Sequence, residues 1–439
     1  MTVWIIAVAI LLIALLTGVP IPFAFLGSVV ILVVGLGYEP SFLLPYGFSK
    51  LNNIVLLAIP LFVLAGGIMS VGGIGKNIVS FAEVFVGKIK SGMGVVTILA
   101  CAIFGAMSGS AAAALTSIGK IMMPKLLEKG YSQGFASSLV ANASVLGLLI
   151  PPSSIMILYA WVGNQSVLAS FLATIVPGFI LMFFLGIINL FYWRSKGKTE
   201  TQPQPVLLDS DLEMSFARRF KKKGTPAIPA LLMPVLILGS IYGGIATPTE
   251  AAALSVIYAV PVGIWIYKEL KGKTFWSAVL EAATTTGVIM VMLYSIMLLS
   301  RIIIMENIPD VVMDFLLSIS ENTLVILLLV NLFIVILGMI MDDVSAVLLA
   351  TPLLLPVVTG LGVDPIHFAA IIGVNLGMGL LTPPTAPLLY LGGRVGNVQI
   401  KHMLTPTLVM LLFAWIPTLL ITTYVPEVAL FLPKLLLGK

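Results

Sequence analysis

The chain has 439 residues, of which 59% are hydrophobic and 9% charged, and its mean hydropathy is +1.15. Soluble domains carry roughly 25% charge, so the composition excludes a soluble globular protein and indicates an all-α polytopic membrane protein. The formal charge of +5 sits in loops, where it reports membrane topology rather than a nucleic-acid partner.

With about 20 residues per span, two helices come first, near 2–17 and 20–37, separated by T-G-V-P, and a third lies near 53–71. Lack of a positive n-region argues against a cleaved signal peptide at the start. Residues 75–90 are amphipathic and basic, which suits a helix lying at the bilayer interface. The stretch 94–124 is apolar but broken at G-A-M-S-G-S, as two short helices of a re-entrant hairpin are. A helix at 135–160 is broken at Pro151-Pro152, and a long one covers 167–193. Residues 194–226 carry eight Lys/Arg and form a solvated linker. Helices near 227–242, 247–268 and 282–305 follow, then a short acidic stretch with Glu306, Asp310, Asp314 and Glu321. A second hairpin spans 322–358, broken at M-D-D-V-S. A broken helix at 366–392 and a final one at 404–425 complete the chain.

The second half therefore replays the first. The window 105–164 returns as 338–397, a displacement of 233 positions. Each copy opens on Gly followed by a polar group, reaches an Asn (Asn142, Asn375), then a double proline (Pro151-Pro152, Pro383-Pro384), and closes on V-G-N. The organisation predicted is a first repeat at 1–193, a linker at 194–226 and a second repeat at 227–439. Each repeat has five crossings and one hairpin. Five is odd, so the repeats must be inverted. With the linker placed in the cytoplasm, 19 of the 23 Lys/Arg fall on that side. Both termini are then periplasmic, and the hairpins enter from opposite faces.

Broken helices survive in hydrocarbon only where protein or a water-filled cavity surrounds them. In inverted repeats they mark ion and substrate sites, with freed carbonyls facing cations and half-helix N-termini facing anions. Ser108, Gly109 and Ser110 either ligate Na⁺ or permit close helix packing. Asn142 and Asn375 are ligands or helix caps. The double prolines free carbonyls or merely kink. Thr382, Thr385, Ser153 and Ser154 add hydroxyls. Asp342 and Asp343 are carboxylates at a hairpin break, either binding a cation or proton or solvated at a wet tip. Glu250 suits a helix cap. Arg301 either snorkels to the outer surface or attracts an anionic substrate. His367 and His402 are too isolated for a metal cluster, and the single Cys101 suits core filling. The sequence holds no Walker motif, HExxH, GxSxG or CxxC, which leaves ATP drive and hydrolysis without support, so an enzyme is not expected.

Several stretches carry a family resemblance: IPLFVLAGGIMSVGGI (59–74), FGAMSGSAAAALTSIGKIMMP (104–124), LLIPPSSIMILYA (148–160), GGIATPTEAAALSVIYA (243–259), GMIMDD (338–343) and NLGMGLLTPPTAPLLYLGG (375–393). Across nearly its whole length the chain resembles the large membrane subunit of tripartite ATP-independent periplasmic (TRAP) transporters. The resemblance implies an elevator-type permease of the bacterial inner membrane, importing a small carboxylate by symport with Na⁺ and using no organic cofactor. It implies two partners: a small four-helix membrane subunit, expected here as a separate chain, and a periplasmic substrate-binding protein. Carried over by position, a first Na⁺ site uses Ser108, Ser110, Asn142, Gly147 and Pro151. A second uses Gly338, Asp342, Asn375, Gly377, Thr382 and Pro384. Ser153, Thr385 and Arg301 are candidates for touching substrate, with Asn164 and Asn397 as further polar contacts. Asp343 departs from the family pattern and leaves open which of the two acids serves. A carrier working without a binding protein, or a channel, are the alternative readings.

Overall fold

The computed structural model describes residues 2–86, 91–196, 218 and 220–438, and among these the chain is helical with no strand. Most of the expected linker (197–217 and 219) and the last turn of the expected amphipathic helix (87–90) lie outside the described residues.

The first half comprises α1 (Thr2–Leu16), α2 (Ile21–Leu36), α3 (Pro40–Leu51), α4 (Ala58–Val71), α5 (Ile74–Val86), the pair α6 (Gly92–Ser108) and α7 (Ala111–Glu128), the broken helix α8 (Gln133–Ser144), α9 (Leu146–Leu149) and α10 (Ser154–Val162), and then α11 (Val167–Lys196). The second half repeats it with α12 (Ile228–Tyr242), α13 (Pro248–Pro261), α14 (Gly272–Met305), α15 (Ile308–Ile319), the pair α16 (Thr323–Ile340) and α17 (Asp343–Gly360), the broken helix α18 (Pro365–Gly379) and α19 (Pro387–Gly396), then α20 (Ile400–Met410), α21 (Ile416–Tyr424) and α22 (Pro426–Leu437). This is an all-α membrane fold of two inverted repeats, each with five crossings and a hairpin.

Eight helices among the described residues are long and apolar enough to cross a bilayer, or nine if Gln133–Leu149 and Ser154–Val162, bent by 42°, count as one span. That tally includes both arms of the second hairpin. It omits α1 and α2, whose 15 and 16 residues rise about 23 Å against a hydrocarbon core of about 30 Å.

Three helices were not expected from the sequence. α3, α15 and α22 are short, and all three carry proline at the first or second helical position, where its missing N–H costs nothing. Proline read as a breaker hid them. α14 also starts ten residues earlier than expected, at Gly272. α5 buries Ile78, Val79 and Ala82, and it packs on α6 of the first hairpin rather than only against lipid. Its one acid, Glu83, is buried and paired with Lys125 of α7 (2.6 Å) and with Lys223 at the end of the linker (3.1 Å). The chain sorts into two bodies. α1, α2, α4, α12, α13 and α14 pack into one layer, while both hairpins pack with both broken helices, α11 and α20 into the other.

Two sets of bonds fix the inversion. Gln133 at the start of α8 donates to the carbonyls of Gly396 (2.8 Å) and Asn397 (2.9 Å) at the end of α19. Tyr159 near the end of α10 donates to the carbonyl of Pro365 at the start of α18 (2.5 Å). The two broken helices therefore run antiparallel, side by side. The first pair is a true hairpin because its two ends meet. The Tyr131 hydroxyl, just past α7, stands 3.1 Å from the Ser91 carbonyl, just before α6. It also stands 2.9 Å from Asn189 Oδ1 on α11 and accepts the Gly94 N–H (3.1 Å). Past the hairpin tip, the nine residues of α10 carry the broken helix about 13 Å further. The hairpin itself stops short of that face.

This base leaves no room at Gly94. A Cβ there would lie 2.0 Å from Asn189 Oδ1. Gly94→Ala is expected to push Asn189 off Ser91 and Tyr131, stranding buried polar groups at a cost of about 2 kcal/mol. Thermal unfolding in detergent micelles reads this as a lowered melting temperature, and an unchanged one would show that the base is not built as described.

Candidate functional site: two hairpin tips on two helix breaks

At the first tip, α6 stops because Gly109 adopts φ +61°, a left-handed conformation open to glycine at little cost, with its N–H bonded to the Gly105 carbonyl. Ser110 then caps α7, its Oγ accepting the Ala113 N–H at 3.4 Å. The Ser108 hydroxyl points at the Ser110 carbonyl at 3.5 Å. This tip sits on the break between α9 and α10. Ser154 donates its N–H (3.3 Å) and its hydroxyl (3.0 Å) to the Gly109 carbonyl. A Cβ on Gly105 would fall 2.4 Å from the Gly147 Cα, and one on Gly147 would fall 3.0 Å from the Ser110 carbonyl oxygen. Backbone thus meets backbone, which brings carbonyls of the tip and of the break to one place. Pro151, Pro152 and Ser153 are buried there, and the Ser153 hydroxyl oxygen has no partner among the described residues.

The second tip is built from different letters on the same plan. α16 ends at Ile340 without a glycine, and Asp342 caps α17, accepting the Ser345 N–H (3.3 Å) and the Ser345 hydroxyl. Ser110 and Asp342 therefore hold equivalent cap positions, one neutral and one acidic. The close approach recurs as Gly338 against Gly379, where a Cβ on Gly379 would lie 2.7 Å from the Gly338 Cα. The break covers Leu380 to Ala386, and both double prolines contain a cis peptide bond. Thr382 gives its hydroxyl proton to the Met378 carbonyl (2.7 Å). Pro384 and Thr385 are exposed, in contrast to the buried first break. Among the described residues no hydrogen bond joins the second tip to the second break, whereas Ser154 makes two at the first.

The two asparagines differ in what they leave free. Asn142 donates to the Ser138 carbonyl (2.8 Å), and its Oδ1 accepts from the Trp415 indole N–H (2.9 Å). Asn375 spends its amide on the Ile371 carbonyl and on Asn331 Oδ1, both at 2.8 Å, and Asn331 in turn donates to Thr423. Asn375 Oδ1 is buried and has no partner among the described residues. Around each site two helix C-termini offer carbonyls and two N-termini offer N–H groups, a set suited to a cation beside an anion. No group of three His, Cys, Asp or Glu stands together among the described residues.

The fold thus brings Ser108, Ser110, Gly147, Pro151 and Ser153 together at the first break, with Asn142 one turn earlier on α8. Gly338, Asn375, Thr382, Pro384 and Thr385 gather along α18 and its break, with Asp342 at the facing tip. Gly377 lies against Val145 and Trp415, and the counterpart of Gly147 is Gly379. Arg301 stands apart. Its guanidinium lies 5.2 Å over the Tyr46 ring of α3, about 13 Å along α14 from Met292, which touches Ser345. Sequence reasoning passed over Asn331, Ser345, Gly379 and Trp415. Asn331 had a signal, as the single amide in an 18-residue apolar helix. Trp415 had none.

Comparison with known proteins agrees with this architecture. Residues 8–428 match the family described as "Tripartite ATP-independent periplasmic transporter, DctM component". The sialic acid TRAP transporter large permease protein SiaM of Vibrio cholerae is 34% identical, covering 97% of each chain. The C4-dicarboxylate TRAP transporter large permease protein DctM of Pseudomonas aeruginosa is 33% identical over 88% of each. The isethionate TRAP transporter permease protein DctMQ of Oleidesulfovibrio alaskensis is 33% identical over 95% of this chain, which spans 64% of that longer protein. Among solved structures, the YdaH transporter of Alcanivorax borkumensis shares the fold with a TM-score of 0.59 over 87% of each chain, at 13% identity. The chain belongs to the DctM family of TRAP transporter large permeases.

Proposed function

We propose that this permease imports a small organic anion by symport with Na⁺, using one Na⁺ site at each hairpin–break pair. Asn375 Oδ1 carries this reading. A buried amide oxygen without a donor costs about 1–3 kcal/mol, and a cation at the second break is the partner that offsets it. In the first repeat the Ser153 hydroxyl, beside the double proline of that break, is left without a donor or acceptor among the described residues. The named substrates of the relatives, C4-dicarboxylate, sialic acid and isethionate, widen the expected class from carboxylates to compact anions including a sulfonate.

The body holding both hairpins moves as a unit against the layer of α1, α2, α4, α12, α13 and α14, carrying ions and anion together. A periplasmic binding protein delivers the anion, and a small membrane subunit braces the static layer. The linker lies in the cytoplasm and both termini in the periplasm of a bacterial inner membrane. Two Na⁺ with one monoanion move one net positive charge inward, worth about 2.3 kcal/mol per 100 mV.

Reconstituted with its partners, the transporter is expected to take up anion only when Na⁺ is present outside, and not when choline replaces it. Uptake that persists without Na⁺ and without a pH gradient would contradict ion coupling. Uptake at full rate without the binding protein would favour the two-component carrier instead.

A further inference from the structure

Trp415 touches Asn142 of the first proposed cation site and, at Gly377, the helix that carries Asn375 of the second. Its backbone lies in the π-helical turn Leu411–Trp415 between α20 and α21, and its side chain is fully buried. On one side the indole N–H donates to Asn142 Oδ1 at 2.9 Å. The Asn142 amide nitrogen is spent on the Ser138 carbonyl, so the carboxamide cannot rotate away without losing both bonds. On the other side the benzo edge fills the space over Gly377, where a Cβ would lie 2.8 Å from Trp415 Cη2 and 3.0 Å from Cζ3. Gly377 is two residues from Asn375, on the same helix.

An indole is a rigid plate, and close-packed interiors pass on small shifts rather than absorb them. A ring held between α18 backbone and an α8 carboxamide therefore converts movement at one site into movement at the other. Asn142 Oδ1 has two lone pairs. The indole takes one and aims the second, which leaves an acceptor direction for a cation. We propose that Trp415 is a positioning residue coupling the two sites. Occupancy of the second site seats Gly377 against the ring, and the ring holds the Asn142 oxygen where the first ion needs it. This inference rests on the two-site reading above, and by linkage the coupling acts equally in both directions.

The test is equilibrium binding of ²²Na⁺ to the full-length chain, purified with its co-expressed small membrane subunit. Trp415→Phe keeps an aromatic ring but removes the N–H and the benzo edge. Wild type is expected to bind two ions with a Hill coefficient of about two, and Trp415→Phe to bind two with a coefficient of about one and roughly tenfold weaker half-saturation. Loss of folded protein alone lowers the number of ions bound and leaves the shape of the curve unchanged. A Trp415→Phe curve of wild-type shape therefore overturns the coupling while leaving both sites standing. A wild type that binds one ion or none overturns the two-site reading and the coupling together. If Trp415→Phe fails to fold, Gly377→Ala, whose Cβ would crowd Val145 Cγ1 at 2.6 Å and the ring at 2.8 Å, pushes the ring from its other edge, with the same expected loss of cooperativity and the same contrary result.

Discussion

Gly109→Val is expected to abolish uptake in proteoliposomes while leaving the protein in the membrane at normal abundance. Two effects act at this residue. Its φ of +61° is strained for any β-branched residue, and a Cβ would lie 2.7 Å from the Pro152 carbonyl oxygen. Neither can relax without lifting the tip from the break, and lifting it breaks both bonds from Ser154 to the Gly109 carbonyl. The hairpin base is untouched, because Ser91, Gly94, Tyr131 and Asn189 sit at the far end of the arms. Folding is therefore spared while the first site comes apart. Near-normal uptake by Gly109→Val would show that the contact between tip and break is not the working site.

If the proposed Na⁺ coupling holds, Asp342→Asn is expected to raise the half-saturating Na⁺ concentration about tenfold or more, the equivalent of at least ~1.4 kcal/mol of lost ion binding. Asparagine is as good a helix cap as aspartate, so the bond from the Ser345 N–H survives and α17 keeps its start. What is lost is the carboxylate at the hairpin tip, the acidic group that the second proposed site offers a cation at its helix cap. Glu250→Gln is the matched control. Glu250 is exposed and closes a capping box with Thr247, its Oε2 accepting the Thr247 N–H at 2.7 Å. It serves the start of α13 and not an ion. Sodium titrations of uptake compare the two variants, and equal shifts would remove any special standing from Asp342.

Much of the architecture was legible because a bilayer permits few solutions. Apolar length gave the spans, the displacement of 233 positions gave the repeat, and an odd number of crossings required inversion. The bonds from Gln133 to Asn397 and from Tyr159 to Pro365 are the physical form of that inversion. The glycine and aspartate breaks were legible because polar groups at membrane depth need a reason. α3, α15 and α22 were hidden by their prolines, which stop a helix in its interior but start one at its first turn. The division of labour between Asn142 and Asn375 was not legible either. It depends on Trp415 and Asn331, residues 273 and 44 positions away. No local pattern reports a hydrogen bond across that distance. Gly379 was passed over for Gly377 because the second repeat runs one residue out of step, and the letters alone do not say which glycine faces the partner backbone.

The most direct measurement is the ratio of ion to anion carried. Wild-type transporter, reconstituted with its small subunit and binding protein, is loaded with ²²Na⁺ and with ¹⁴C-labelled succinate, N-acetylneuraminate or isethionate, whichever it accumulates. Two Na⁺ entering with each anion, falling in Asp342→Asn, is the result expected of twin hairpin sites. Anion entering with no accompanying Na⁺ would contradict the account at its centre.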